Sequence, residues 1–287
     1  MSNDSTQRFL FDHTDIRGEL VHLDESYQEG VTKHNYPEPV ANLLGEFLAA
    51  SVLLSTSIKF EGKLILQAQS EGEVSMVMAE CSHEQVVRGV ARFTSPPTSN
   101  NFKALLHKGT LAITIEPEKG QRYQGLVPLD GESLAGCLED YFAQSEQLAT
   151  RFFFATGEDK VSGMMLQQLP PQKTEVPETR EEQWNHVTHL AHTLTNEELL
   201  TLDAETILYR LFHDDDVRLF DSRPVEYRCS CSRERTGAAL LTLKRTELED
   251  ILTEQGSITM NCQFCNQEYS YSREDAEELV VNSDPKN

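Results

Sequence analysis

Cys229-Ser230-Cys231 and, after 30 intervening residues, Cys262-Gln263-Phe264-Cys265 place two pairs of thiols in the last fifth of a 287-residue chain. Four soft ligands in two close pairs suit tetrahedral zinc. The first pair is separated by one residue, so on an extended strand both side chains share a face with Ser230 opposite. No histidine follows His213, which makes Cys229, Cys231, Cys262 and Cys265 the natural complete ligand set, one zinc per chain. Arg228, Arg233 and Arg235 flank the first pair in a chain short of cations, and nearby positive charge favours thiolate, the species that oxidants attack. Each pair is also near enough in sequence to close a local disulfide, so oxidation can expel the metal without help from other thiols. Metal loss removes on the order of 10 kcal/mol from residues 229–287, more than so small a unit can replace from its own core.

The elements that must position these residues are framed by composition. Length predicts about two domains. Lys plus Arg is 25 against 47 for Asp plus Glu, a net charge of −22. Such a surface repels phosphate backbones and anionic headgroups over a Debye length of roughly 8 Å, which argues against nucleic acid and membrane surfaces as partners. No apolar run approaches the ~18 residues of a membrane span, and the start MSNDSTQRFLFD has no leader character, so a cytosolic, reducing location is expected. Structural disulfides are not expected there.

Residues 8 to about 169 alternate strand-like and helix-like stretches without a parallel-sheet rhythm, which reads as α+β. Arg8–Asp12 and Ile16–Leu23 read as strands, and Val40 to Val52, after Pro37 and Pro39, reads as a helix. Three hairpins are expected: Lys63–Ala68 with Val74–Glu80, Leu111–Ile115 with Gln121–Val127, and Arg151–Thr156 with Lys160–Gln167. Leu134–Leu148 reads as an amphipathic helix. Three prolines in Leu169–Pro177 mark the end of the first domain, 1–175. Residues 176–228 hold twelve acids against five arginines, a helix-prone and weakly cored linker. Its apolar faces, around Trp184, Val187 and Leu190 and around Ile207, Leu211 and Phe212, need something to cover. Residues 229–287 carry the cysteines in a short strand-rich unit that ends in a helix.

Taken together, a large α+β domain, an acidic helical linker and a terminal C-x-C plus C-x-x-C resemble the bacterial 33 kDa chaperonin family over the whole chain. The resemblance implies an ATP-independent holdase for unfolded client proteins, off when reduced and zinc-bound. It implies activation when both pairs, Cys229 with Cys231 and Cys262 with Cys265, are oxidised and the linker, 176–228, unfolds. Newly exposed apolar surface would also favour a homodimer of the oxidised form. Two other classes stay open. A thiol-disulfide oxidoreductase would use Cys262 and Cys265 catalytically, but a strand-like Tyr269–Tyr271 follows where a βαβ pattern is normal. A nucleic-acid-binding zinc ribbon needs a basic face, and residues 229–287 hold 11 acids against six bases. Cys81 and Cys137 read as inert core thiols. His186, His189 and His192 read as a solvated helix face, and Asp214-Asp215-Asp216 as a solvated turn. No nucleotide-binding or hydrolase motif occurs, so no enzymatic activity is expected.

Overall fold

The computed structural model describes residues 4–57, 61–174, 176–240 and 245–283. The chain divides into two compact units, 1–228 and 229–287. Both are mixed α and β.

The first unit opens with β1 (Ser5–Phe11), β2 (Ile16–Leu23), α1 (Glu25–Thr32) and α2 (Glu38–Ser55). It continues through β3 (Gly62–Gln69), β4 (Val74–Ser82), β5 (Val86–Phe93), α3 (Phe102–Leu105), β6 (Thr110–Pro117) and β7 (Tyr123–Pro128). Then follow α4 (Leu134–Tyr141), β8 (Thr150–Thr156) and β9 (Val161–Gln168). All three expected hairpins form, as antiparallel pairs β3–β4, β6–β7 and β8–β9. The expected helix over 134–148 is shorter: after Tyr141 the chain widens into a π-turn over Phe142–Glu146 and stops at Gln147, whose φ of 55° breaks helical geometry.

Two antiparallel sheets enclose α2. One runs β1-β2-β9-β8 and the other β5-β4-β3-β6-β7. Pro39 in the first turn of α2 costs no helix hydrogen bond. The helix is then apolar on nearly every side, because Leu44, Phe47, Leu48 and Leu53 meet side chains of both sheets. The first sheet is buried on both faces. Val21, Leu23, Val161 and Met165 point to the α2 core, while Phe9, Ile16, Leu20, Met164 and Leu166 alternate to the opposite face. Gly18 on β2 makes room on that second face: a Cβ there would lie 2.0 Å from the Phe9 ring.

Residues 176–228 cover this second face as part of the first unit. They form α5 (Pro177–Ala191), α6 (Asn196–Thr201) and α7 (Ala204–Phe212), then three short strands, β10 (Val217–Leu219), β11 (Arg223–Pro224) and β12 (Glu226–Tyr227). The expectation of a weakly cored segment is corrected here. Trp184, Val187, Ile207, Leu211 and Phe212 are all buried against the sheet. Its acids do local work instead of only repelling. Thr195 and Glu198 form a reciprocal capping box, Asp203 caps α7, and Glu198 pairs with Arg210. The strands were not expected at all: β10 and β11 pair with β1, and β12 runs parallel to β5.

The second unit contains α8 (Arg233–Leu240), α9 (Arg245–Gln255), the hairpin β13 (Ser257–Asn261) with β14 (Glu268–Ser272), and α10 (Arg273–Ser283). Its buried set is small, with Leu240, Leu248, Leu252, Ile258, Tyr271 and Ala276 at the centre.

Candidate metal centre

The β13–β14 hairpin builds half of the centre. Its strands pair from Ser257 with Ser272 to Asn261 with Glu268, leaving 262–267 as the connection. The Cys262 N–H donates to the Gln267 carbonyl at 2.9 Å and the Asn266 N–H to the Cys262 carbonyl at 2.8 Å, which folds the connection into a tight knuckle. Asn266 completes it with φ of 56°, a left-handed conformation that Asn tolerates. This turn brings the Cys262 and Cys265 sulfurs to one side. The segment before α8 supplies Cys229 and Cys231.

The four Sγ atoms lie within 4.8 Å of one another. Cys229 approaches Cys262 at 3.6 Å, and Cys231 approaches Cys265 at 3.4 Å. A tetrahedral ion with metal–sulfur bonds of about 2.3 Å has sulfur–sulfur edges of about 3.8 Å, so these separations fit such a site. Cys262 is buried and the other three are partly exposed, so the sulfurs are enclosed yet reachable from water.

Burial raises the Cys229 and Cys265 thiols above their usual value. Burial pushes Cys262 the same way, but the N–H groups of Cys265 and Phe264 and the Cys229 thiol outweigh it and bring Cys262 down to about 7. The expected role of the flanking arginines is not what the geometry shows. Arg235 donates to the Ser230 carbonyl and hydroxyl, both at 2.8 Å. Arg233 donates to the Ser270 carbonyl at 2.7 Å, pairs with Asp275 at 2.9 Å and lies over the Tyr271 ring. Arg228 belongs to the first unit and pairs with Glu226. Sequence proximity placed these cations near the thiols, but their fork donors are directed at oxygen acceptors.

Sequence reasoning missed Tyr269, whose hydroxyl donates to Cys231 Sγ at 3.1 Å. The signal was present in the alternation of β14, where Tyr269 and Tyr271 share a face. Cys81 and Cys137 are free and buried far from the cluster in sequence; burial pushes Cys81 up to about 12 and raises Cys137 as well. The histidines make no cluster: His186 meets Asp215 at 3.1 Å, and His192 packs edge-on against Phe153. Among the described residues, the four cysteines are the group able to hold a metal ion. The Cys262–Cys265 pair sits in a strand-to-strand turn and not at a helix N-terminus, which disfavours a dithiol catalyst of the usual kind.

Residues 4–272 match the family model described as Hsp33 protein. The chain belongs to the Hsp33 family. It is 51% identical over 282 residues to the 33 kDa chaperonin of Ectopseudomonas mendocina, covering 97% of this chain and 96% of that protein. Identity to the 33 kDa chaperonin of Pseudomonas aeruginosa is also 51%, over 97% of this chain and 95% of the relative. The crystal structure of the 33 kDa chaperonin from Thermotoga maritima shares the fold, with a TM-score of 0.84 at 24% identity, over 98% of this chain and 99% of that one. Hsp33 relatives are thus named chaperonins along essentially their full length, and among the described residues no helix is long and apolar enough to cross a membrane.

Proposed function

We propose that this protein is a redox-regulated, ATP-independent holdase of the reducing cytoplasm. Cys229, Cys231, Cys262 and Cys265 hold one zinc ion in the inactive, reduced form. The observation that carries this reading is the convergence of four sulfurs within 4.8 Å in a unit whose own buried set is small. Bound zinc would keep the sulfurs deprotonated and tie the β13–β14 turn to the 229–231 segment.

A hydroperoxide is the class of oxidant that fits thiolates reachable from water. For each pair, one sulfur attacks the peroxide oxygen to give a sulfenic acid and release water. The second sulfur displaces the sulfenic oxygen, so two thiols and one hydrogen peroxide yield one disulfide and two waters. The pairs are Cys229 with Cys231 and Cys262 with Cys265. Distance alone does not choose them, since all four sulfurs are close, but consequence does. A Cys229–Cys262 bond would close a loop of 33 residues and stabilise the folded unit by about 3–4 kcal/mol. Local bonds cross-link nothing distant, so the unit unfolds once the metal leaves.

The linker, 176–228, is continuous in chain with Cys229 and is the bistable element. Its release uncovers the sheet face of Phe9, Leu20 and Met164, together with its own Ile207 and Leu211, as apolar surface for unfolded clients and for dimerisation. Elemental analysis and light scattering of an aggregating client test the proposal together. Reduced protein should contain one zinc per chain and fail to suppress scattering. Peroxide-treated protein should lose the zinc and, once warmed, suppress scattering without nucleotide. Retained zinc with full suppression would sink it.

A further inference from the structure

Each sulfur of the cluster has its own hydrogen-bond donor, and one donor differs in kind from the rest. Cys229 accepts from the Cys231 N–H, Cys262 from the Phe264 and Cys265 N–H groups, and Cys265 from the Gln267 N–H. Apart from the neighbouring thiols, those donors are backbone N–H groups within three residues of the sulfur they meet. Cys231 takes a side-chain donor, the Tyr269 hydroxyl, at 3.1 Å.

The strand that carries Tyr269 makes this contact firm. Tyr271, two residues on and on the same face of β14, is 1% exposed and donates to the Arg233 carbonyl at 2.7 Å. Arg233 in turn donates to the Ser270 carbonyl at 2.7 Å. Three consecutive residues of β14 therefore grip the chain from Cys231 to Arg233, and Tyr269 is the member that reaches sulfur. From this geometry we infer that Tyr269 is a positioning residue of the metal centre: its hydroxyl orients the Cys231 sulfur and withdraws electron density from it, making Cys231 the slower of the first pair to react with electrophiles.

A hydrogen bond to a charged acceptor is among the stronger ones, and an attacking sulfur must give up part of it to reach an electrophile. Removing the donor leaves a more electron-rich sulfur, and nucleophilicity rises with that density. The reaction concerned is attack of Cys231 Sγ on the peroxide oxygen, with the sulfenic acid resolved by Cys229 and the oxygen atoms leaving as water. The inference deepens the reading of the cysteine cluster as a metal-holding redox centre and rests on it.

Tyr269→Phe in the full chain tests it, with Tyr271→Phe as the comparison, because Tyr271 donates to a carbonyl and touches no sulfur through its hydroxyl. Cobalt is loaded in place of zinc, and the sulfur-to-cobalt charge-transfer band is recorded for each protein. Tyr269→Phe should keep one metal per chain and shift the band to lower energy, and Tyr271→Phe should leave the band in place. With zinc loaded and peroxide added, Tyr269→Phe should release zinc about three- to tenfold faster, a size set by partial loss of one charge-assisted bond. Mass mapping should find Cys231 modified earlier than in the parent protein. An unshifted band with an unchanged release rate overturns the inference, as does an equal shift in both variants, which would mean general loosening. If Tyr269→Phe binds no metal, the rate of Cys231 alkylation in the metal-free proteins decides, and equal rates for parent and variant reject the role. None of these readouts uses client binding, so failure of the holdase reading would leave them standing.

Discussion

Asp15 is the residue on which the start of the linker depends. It is nearly buried, yet its carboxylate accepts from the N–H groups of Gln172, Lys173 and Thr174 at 3.0–3.2 Å and from Arg180 Nη1 at 2.7 Å. Arg180 also donates to the Leu169 carbonyl at 2.7 Å, which closes a clasp around the proline-rich stretch. Burial pushes the Asp15 carboxyl up, but the three N–H donors and Arg180 together hold it below the usual carboxylate value. Because the native value is depressed, the clasp contributes fully above about pH 4, where Asp is ionised in the unfolded chain too, and its contribution is lost as pH falls through the lower native value. Asp15→Asn should therefore cost about 3 kcal/mol at neutral pH and flatten the acid limb of the stability curve, as followed by urea unfolding at several pH values. An unchanged acid limb would remove Asp15 from the linker's anchorage. The three prolines of 169–177, expected to end the first domain, only follow its last long strand, since the compact unit runs on to residue 228, and nothing in them says that a carboxylate 157 positions earlier would fasten the segment down. Cysteine spacing was legible for the opposite reason, since each pair is close in sequence, the second on the tight turn at 262–267, and ligand number is a property of composition.

At the scale of elements, α7 is the part of the linker that seals the sheet. Phe212 meets Phe11 edge-on with ring centroids 5.0 Å apart and meets Phe9 at 6.4 Å, and Phe9 lies on the bare backbone of Gly18. Phe212→Ala should cost about 3–5 kcal/mol of linker docking, because the surrounding rings are held by the sheet and cannot collapse into the void. The reduced, metal-loaded variant should then suppress client aggregation where the parent protein does not; an inactive but destabilised variant would count against a covering role for α7. The amphipathic faces of α5 and α7 were readable from the spacing of Trp184, Val187, Ile207 and Leu211, and the hairpins from turn residues such as Gly157-Glu158-Asp159. β5 was not read, and neither were β10, β11 and β12. Two- and three-residue strands have no periodicity of their own, and their register comes from the edges of β1 and β5, which sequence places more than 130 residues away. A long helix over 134–148 was overread because apolar spacing continues past Tyr141, while the backbone widening at Phe142–Glu146 leaves no mark in it.

For the molecule as a whole, residues 176–228 pack within the first unit, and the proposed switch has to work against those contacts. Trp184, Val187, Ile207 and Phe212 are buried against β1, β2 and β9, and β10 to β12 extend the two sheets. Those contacts do not vanish when residues 229–287 unfold. Opposing them are twelve acids and five arginines within 176–228, a local charge of −7, and three helices that would be marginal alone. Oxidation should thus move the linker from stably docked to marginally docked, and warming should complete its release, since unfolding exposes apolar surface and is steeply temperature-dependent. Hydrogen exchange on the full chain reads this directly. After peroxide treatment, amides of β13 and β14 should exchange freely at every temperature. Amides of α5, α6 and α7 should lose protection progressively on warming, and those of β3, β4 and β6, packed on α2, should keep theirs throughout. Aggregation suppression should rise along the same temperature course as the α5–α7 exchange. If suppression is complete while α5–α7 stay protected, clients bind elsewhere and the covering model fails; if β3, β4 and β6 open together with the linker, the first unit is a single cooperative body and the linker is no separate switch.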